Sequence, residues 1–115
     1  MDLTTLSGDD TEARVKRLCR KAKQPISSNL EKQLGVQSLN LSVAAVCVYH
    51  DMLSAAKNVI KDTNIHLAAV STGFPAGLSP LPLRLQEIQY SVDSGANEID
   101  IVISRRHVLE GNWEA

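Results

Sequence analysis

Apolar positions along the chain switch between two periods. From Asp9 to Lys23 they fall at Val15, Leu18, Cys19 and Ala22, the spacing of one helix face. Asp9, with Glu12 three residues later, reads as the N-terminal cap, and Pro25 as the stop. Ser28 to Leu34 predicts a short surface helix ended by Gly35. Val43 to Tyr49 is a run of small and β-branched residues without alternation, the pattern of a strand buried on both faces. His50 to Lys61 returns to the helical period through Met52, Ala55, Ala56, Val59 and Ile60. A second apolar run, Leu67-Ala68-Ala69-Val70, lies within Asn64 to Ser71 and leads into the turn-rich Thr72-Gly73-Phe74-Pro75-Ala76-Gly77. Ser79 and Pro80 predict a helix start with proline at its first position. Leu81, Leu85, Ile88 and Val92 continue that helix, and Gly95 ends it. Glu98 to Ile103 is a further strand, after which no complete helix is expected before Ala115.

This alternation is βαβαβ, the unit of a parallel sheet, and Met1 to Thr5 adds a short strand in front of it. Residues 1–115 are accordingly read as a single small α/β domain. Alternation alone leaves both a flavodoxin-like sheet and part of a barrel open. Hydrophobic residues make up 43% of the 115-residue chain and charged residues 22%, a globular balance that argues against disorder. A net charge of −1 supplies no basic field for nucleic acid, and 3% aromatics is too few for base stacking. No apolar run is long enough to cross a membrane, and Met1-Asp2-Leu3-Thr4-Thr5 is unlike a signal peptide. Cys19 and Cys47 have no CxxC spacing, so neither a disulfide framework nor a metal site is expected. The expected setting is reducing and cytoplasmic.

Asp100 is the residue most suggestive of chemistry, a carboxylate within an otherwise apolar strand. A buried carboxylate must be paired, hydrogen-bonded or protonated. At the C-terminal end of a barrel strand it would be placed for acid–base work; the plainer reading is a solvated strand end. Cys47 reads first as a small core residue, since no His or Asn is positioned to activate it. The glycines of Thr72 to Gly77 permit close approach of a ligand, or simply shape a strand-to-helix turn. His50, His66 and His107 show no ligand spacing and read as surface or loop residues. Lys16, Lys21, Lys23, Lys32, Lys57 and Lys61 all lie in polar helical stretches, so no desolvated, nucleophilic lysine is visible.

Taken together, the ordered motifs Met1-Asp2-Leu3-Thr4-Thr5-Leu6, Ala44-Ala45-Val46-Cys47-Val48-Tyr49, Thr72-Gly73-Phe74-Pro75-Ala76-Gly77, Gly95 to Ile103 and Gly111-Asn112-Trp113-Glu114 resemble the class I deoxyribose-phosphate aldolases. The resemblance spans the whole chain. It implies a partial (β/α)8 barrel holding the first four strands with their intervening helices, the N-terminal half of the family fold. The implied reaction is metal- and cofactor-free: 2-deoxy-D-ribose 5-phosphate is cleaved reversibly to glyceraldehyde 3-phosphate and acetaldehyde through a lysine Schiff base. By this resemblance Asp100 matches the catalytic aspartate that relays protons. Thr4 matches a residue lining the substrate pocket, Asp2 a carboxylate beside it, and Cys47 a non-essential pocket cysteine.

The sequence departs from the family pattern at Ser104, where Asn is common, and at His50, where Pro is common. The Schiff-base lysine, on a later strand in the family, is expected outside this chain, so the chain alone is expected to be inactive. The expected partners are a phosphorylated sugar and either further copies in a homo-oligomer or a complementary barrel half, with no nucleic acid or membrane. A second reading is a non-catalytic truncated paralogue serving as an α/β interaction domain. A flavodoxin-like response domain fits less well, because no lysine follows Ile103.

Overall fold

A computed structural model describes residues 1–114 of the chain. Four strands, β1 (Asp2–Thr4), β2 (Ala45–Tyr49), β3 (His66–Ser71) and β4 (Glu98–Ile101), form one sheet in the order β1-β2-β3-β4, each pair parallel. Helices α1 (Glu12–Lys23) and α2 (Ser28–Leu34) lie between β1 and β2, α3 (Leu53–Ile60) between β2 and β3, and α4 (Leu81–Asp93) between β3 and β4. A short α5 (Arg105–Leu109) follows β4. The periodicity therefore fixes the element order, with β2 and β4 each shorter than the apolar runs that predict them.

Strand alternation divides the sheet into two faces. On one, Val46, Val48, Leu67 and Ala69 pack under Val15, Cys19 and Ala22 of α1 and Leu53, Ala56 and Ile60 of α3. Leu3 of β1 and Ile99 of β4 border this core. The other face holds a smaller cluster, Cys47, Ala68 and Val70, against which Leu6, Tyr49 and Phe74 rest. The radius of gyration is 16.8 Å, against roughly 13 Å for a compact domain of about 100 residues. One sheet face is thus well covered and the other only sparsely.

Several local expectations are corrected. Thr11, not Asp9, caps α1, its Oγ1 accepting the Arg14 N–H at 3.3 Å. The helix begins at Glu12, so Asp9 lies too early to reach its free amides. Asp9 and Asp10 instead meet the Arg14 guanidinium at 3.3 and 3.1 Å. Pro80 occupies the cap position of α4 in extended conformation, and Pro82 takes the first turn. Of the predicted row, Leu81, Leu85 and Val92 are exposed and Ile88 is half-buried, while Ser91 is the residue of α4 that is fully buried. Most of that apolar row is uncovered, which periodicity alone does not reveal. Gly35 closes α2 as expected, with φ of 68°.

Burial separates two leucines of equal helical period. Leu53→Ala removes a side chain with 0% exposure and is expected to cost about 2–5 kcal/mol in urea unfolding. Leu85→Ala, at 57% exposure, should cost less than about 0.5 kcal/mol. Equal losses at the two positions would contradict the assignment of the core.

Candidate functional site

Register brings the sequence-predicted residues together. Asp2 stands beside Ala45 and Thr4 beside Cys47 across β1–β2. Cys47 stands beside Ala68 across β2–β3, and Val70 beside Asp100 across β3–β4. Because alternate residues share a face, Asp2, Thr4, Cys47 and Asp100 all lie on the sparsely covered face, away from α1 and α3. Thr4 ends β1 and Asp100 lies in the second half of β4, toward the edge at which parallel α/β sheets build sites, while Cys47 is the middle residue of β2 and Asp2 opens β1.

Contact is closest between Cys47 and Asp100, residues brought together from β2 and β4 across the intervening β3. The Cys47 S–H donates to Asp100 Oδ2 at 3.3 Å. Burial, first, and then the Asp100 carboxylate push the Cys47 thiol up to about 12, with smaller contributions from the charges of Asp2 and Glu98. A thiol held protonated this way is a poor nucleophile, so Cys47 suits a wall or a hydrogen-bond donor. Asp100 is itself exposed, because β4 is an edge strand, so of the two readings its sequence allows the solvated strand carboxylate is the one observed. It opens into a hollow of about 360 Å³ lined also by Leu6, Val70, Phe74, Pro75 and Arg105.

The loop from Thr72 to Pro80 supplies one wall of that hollow. Its backbone is unusual at two adjoining residues, Thr72 with φ of 61° and Gly73 with φ of 75°. A Cβ on Gly73 would lie 2.8 Å from Ser79 Oγ, and one on Gly77 2.7 Å from Val102 Cγ1, so both positions are tight as well as left-handed. The Val102 N–H donates to Thr72 Oγ1 at 2.6 Å, so a side chain extends the β3–β4 ladder past Ile101. The Phe74–Pro75 peptide is cis, and the Phe74 ring meets Tyr49 edge-on at 5.9 Å.

Sequence reading missed two groups. Glu98 and His66 stand at the N-terminal end of the same face and form an ion pair or short hydrogen bond through His66 Nδ1. The spacing of two between Glu98 and Asp100 was the available signal for the first; His66, read as a loop residue, opens β3. His50, also read as surface, is half-buried, with Nδ1 3.7 Å from Glu87 Oε1. No strand residue is a lysine. Among the described residues no group of three or more His, Cys, Asp or Glu could hold a metal ion, and no helix is long and apolar enough to cross a membrane.

The Cys47 environment makes a pH prediction. Its pKa is raised from the ordinary thiol range near 8.5, so the neutral thiol persists in the fold at pH values where an unfolded chain has lost the proton. Between those two values the unfolded state binds fewer protons than the native one, and stability falls as pH rises. Alkylation of Cys47, followed by peptide mass spectrometry against pH, should begin well above pH 9. Asp100→Asn should move that onset downward part of the way, leaving the share due to burial. An unmoved onset would show that Asp100 does not act on the thiol.

No family model matches the chain. The human (Homo sapiens) deoxyribose-phosphate aldolase is 50% identical over 117 residues, an alignment covering all of this chain and 37% of that protein. A crystal structure from Coccidioides immitis, described as a candidate deoxyribose-phosphate aldolase, superposes with a TM-score of 0.74 at 27% identity, over 95% of this chain and 36% of the other. The tetrameric deoxyribose phosphate aldolase of Aeropyrum pernix superposes with a TM-score of 0.63 at 25% identity, over 87% and 36%. The parallel strand order, the helices between the strands and these superpositions identify the fold as part of a (β/α)8 aldolase barrel. Along its whole length, this chain is a homologue of the deoxyribose-phosphate aldolases and spans little more than a third of them.

Proposed function

We propose that this chain supplies the first four strands of a deoxyribose-phosphate aldolase barrel, cleaving 2-deoxy-D-ribose 5-phosphate reversibly to glyceraldehyde 3-phosphate and acetaldehyde. The observation that carries the reading is the gathering of Asp2, Thr4, Cys47 and Asp100 on one face of a sheet whose two outer strands are unpaired. In this reading Asp100 relays protons at the reacting carbon, since it is the carboxylate that opens into the hollow beside the Phe74 loop. Thr4 and Asp2 line the substrate pocket, and Cys47 forms its floor while donating to Asp100.

The imine-forming amine is not among the described strands, and the lysines of the helices stand in polar surroundings. The reading therefore assigns the Schiff base to a lysine outside this chain, and holds the 115 residues alone to be inactive. A partner lysine would also answer the acidity of the shared face, where Asp2, Glu98 and Asp100 converge. The tetrameric relative from Aeropyrum pernix supports an oligomer for the complete enzyme.

A second reading, a non-catalytic module that docks on a full aldolase subunit, draws on the two unpaired sheet edges and the exposed apolar row of α4. Such edges and patches favour association. Co-elution of the isolated chain with a full-length deoxyribose-phosphate aldolase in size-exclusion chromatography would support it, and independent elution of both would dismiss it.

Borohydride reduction in the presence of deoxyribose 5-phosphate tests the catalytic reading. No substrate adduct is expected on this chain, and one is expected on a full-length aldolase treated in parallel. An adduct on Lys16, Lys57 or any other lysine of the chain would overturn the assignment of the amine to an external segment. In a full-length barrel carrying this segment, Asp100→Asn should lower kcat by at least about 100-fold, the usual scale of a lost acid–base group.

A further inference from the structure

The most tightly fastened part of the sparsely covered face is the loop after β3, and its fastening comes from a residue of α4. Glu87 lies on α4 with its side chain mostly buried. Its Oε2 accepts the N–H of Gly73 at 2.8 Å. Its Oε1 faces His50 Nδ1 at 3.7 Å. His50 Nδ1 is buried and has no hydrogen-bond partner among the described residues, so Glu87 is the acceptor toward which it is directed. The imidazole is steadied from the same helix by Tyr90, whose ring meets it edge-on at 5.6 Å. One carboxylate thus joins three segments: α4, the start of the β3–α4 loop and the turn after β2.

The bond falls where the backbone most needs holding. Thr72 and Gly73 both adopt positive φ, a conformation that a non-glycine residue such as Thr72 keeps only under external constraint. The peptide immediately following them carries Phe74, half-buried against the Cys47, Ala68 and Val70 cluster and edge-on to Tyr49. Phe74 follows directly on Gly73, so the bond from Glu87 holds the backbone next to the residue that packs against this cluster and lines the hollow at Asp100.

We propose that Glu87 and His50 are positioning residues that clamp the Thr72–Pro80 loop, keeping Phe74 over the Cys47–Asp100 face. Glu87 acts through Gly73, and His50 acts through Glu87. The clamp concerns loop geometry and holds whether or not the aldolase reading stands.

The test uses the whole 115-residue chain and two independent readouts. Amide hydrogen exchange at Gly73, by NMR, reports the clamp itself. Alkylation of Cys47 by iodoacetamide at one fixed pH, by peptide mass spectrometry, reports the Phe74 cover, since Cys47 is only 3% exposed and belongs to the cluster that Phe74 packs against. Cys19, fully buried in the opposite core, is the internal control. Glu87→Ala should accelerate both Gly73 exchange and Cys47 alkylation by about tenfold or more, the scale of a lost hydrogen bond to a charged group. Exchange at Val48 and Ala69 and alkylation of Cys19 should stay at parent rates. Glu87→Gln keeps an acceptor oxygen and should restore Gly73 protection close to the parent level. Phe74→Ala should leave Gly73 protected while exposing Cys47, which separates clamp from cover. Unchanged Gly73 exchange in Glu87→Ala would overturn the proposal, as would Cys47 and Cys19 becoming reactive together, the mark of general loosening. Should Glu87→Ala fail to fold, His50→Phe keeps the ring against Tyr90 and removes the nitrogen facing Glu87. Faster Gly73 exchange would then support the clamp, and parent-rate exchange in that variant would overturn the part given to His50.

Discussion

Parallel register is the constraint from which the rest of this structure follows. Once β1 to β4 are paired in sequence order, each side chain is committed to one face, and a shift by one residue would exchange the two sets. The set that includes Val46, Val48, Leu67 and Ala69 meets α1 and α3 and forms the apolar core. The complementary set cannot then be apolar throughout without exposing a large greasy surface, and it carries Asp2, Thr4, Cys47, His66, Glu98 and Asp100. Stability and candidate chemistry are thus assigned to opposite sides of one sheet by the same hydrogen-bond ladder.

The chemistry-bearing side is electrostatically unfinished. Three carboxylates bear on one thiol, and burial together with their charge keeps that thiol protonated. His66 answers Glu98, but among the described residues Asp100 finds only the weak S–H donor of Cys47. A face of this kind favours the approach of a cation or a proton-sharing group. In the proposed aldolase reading, that group is an amine from outside the chain. The unpaired outer strands and the exposed row on α4 are the mechanical counterpart, being surfaces that a continuing sheet and its helices would cover.

Between the two faces stands the loop after β3. Its left-handed residues, its tight glycines and the Thr72 side chain that extends the ladder toward Val102 show a segment held by many small constraints. Glu87 adds an anchor from outside the loop, and the His50 side chain adds a second segment to that anchor.

Much of the architecture is legible in the sequence. Helical spacing marks α1, α3 and α4 and apolar runs mark β2 and β3. Those features are local, set by steric preference and by the short-range period of each element, so a linear reading captures them. The barrel comes instead from the resemblance carried by the ordered motifs, and the superpositions bear it out. What the tertiary structure decided is everything that depends on distant segments. A strand apolar on both sides gives no sign of which residues turn toward α1 and which toward Asp100. The period of α4 is real but says nothing about whether Leu85 finds a partner. The sequence leaves Asp100 open between a buried carboxylate and a solvated strand end, and the edge position of β4 decides for exposure. His50, Gly73 and Glu87 share no local pattern at all, and meet only because the chain returns to the same end of the sheet.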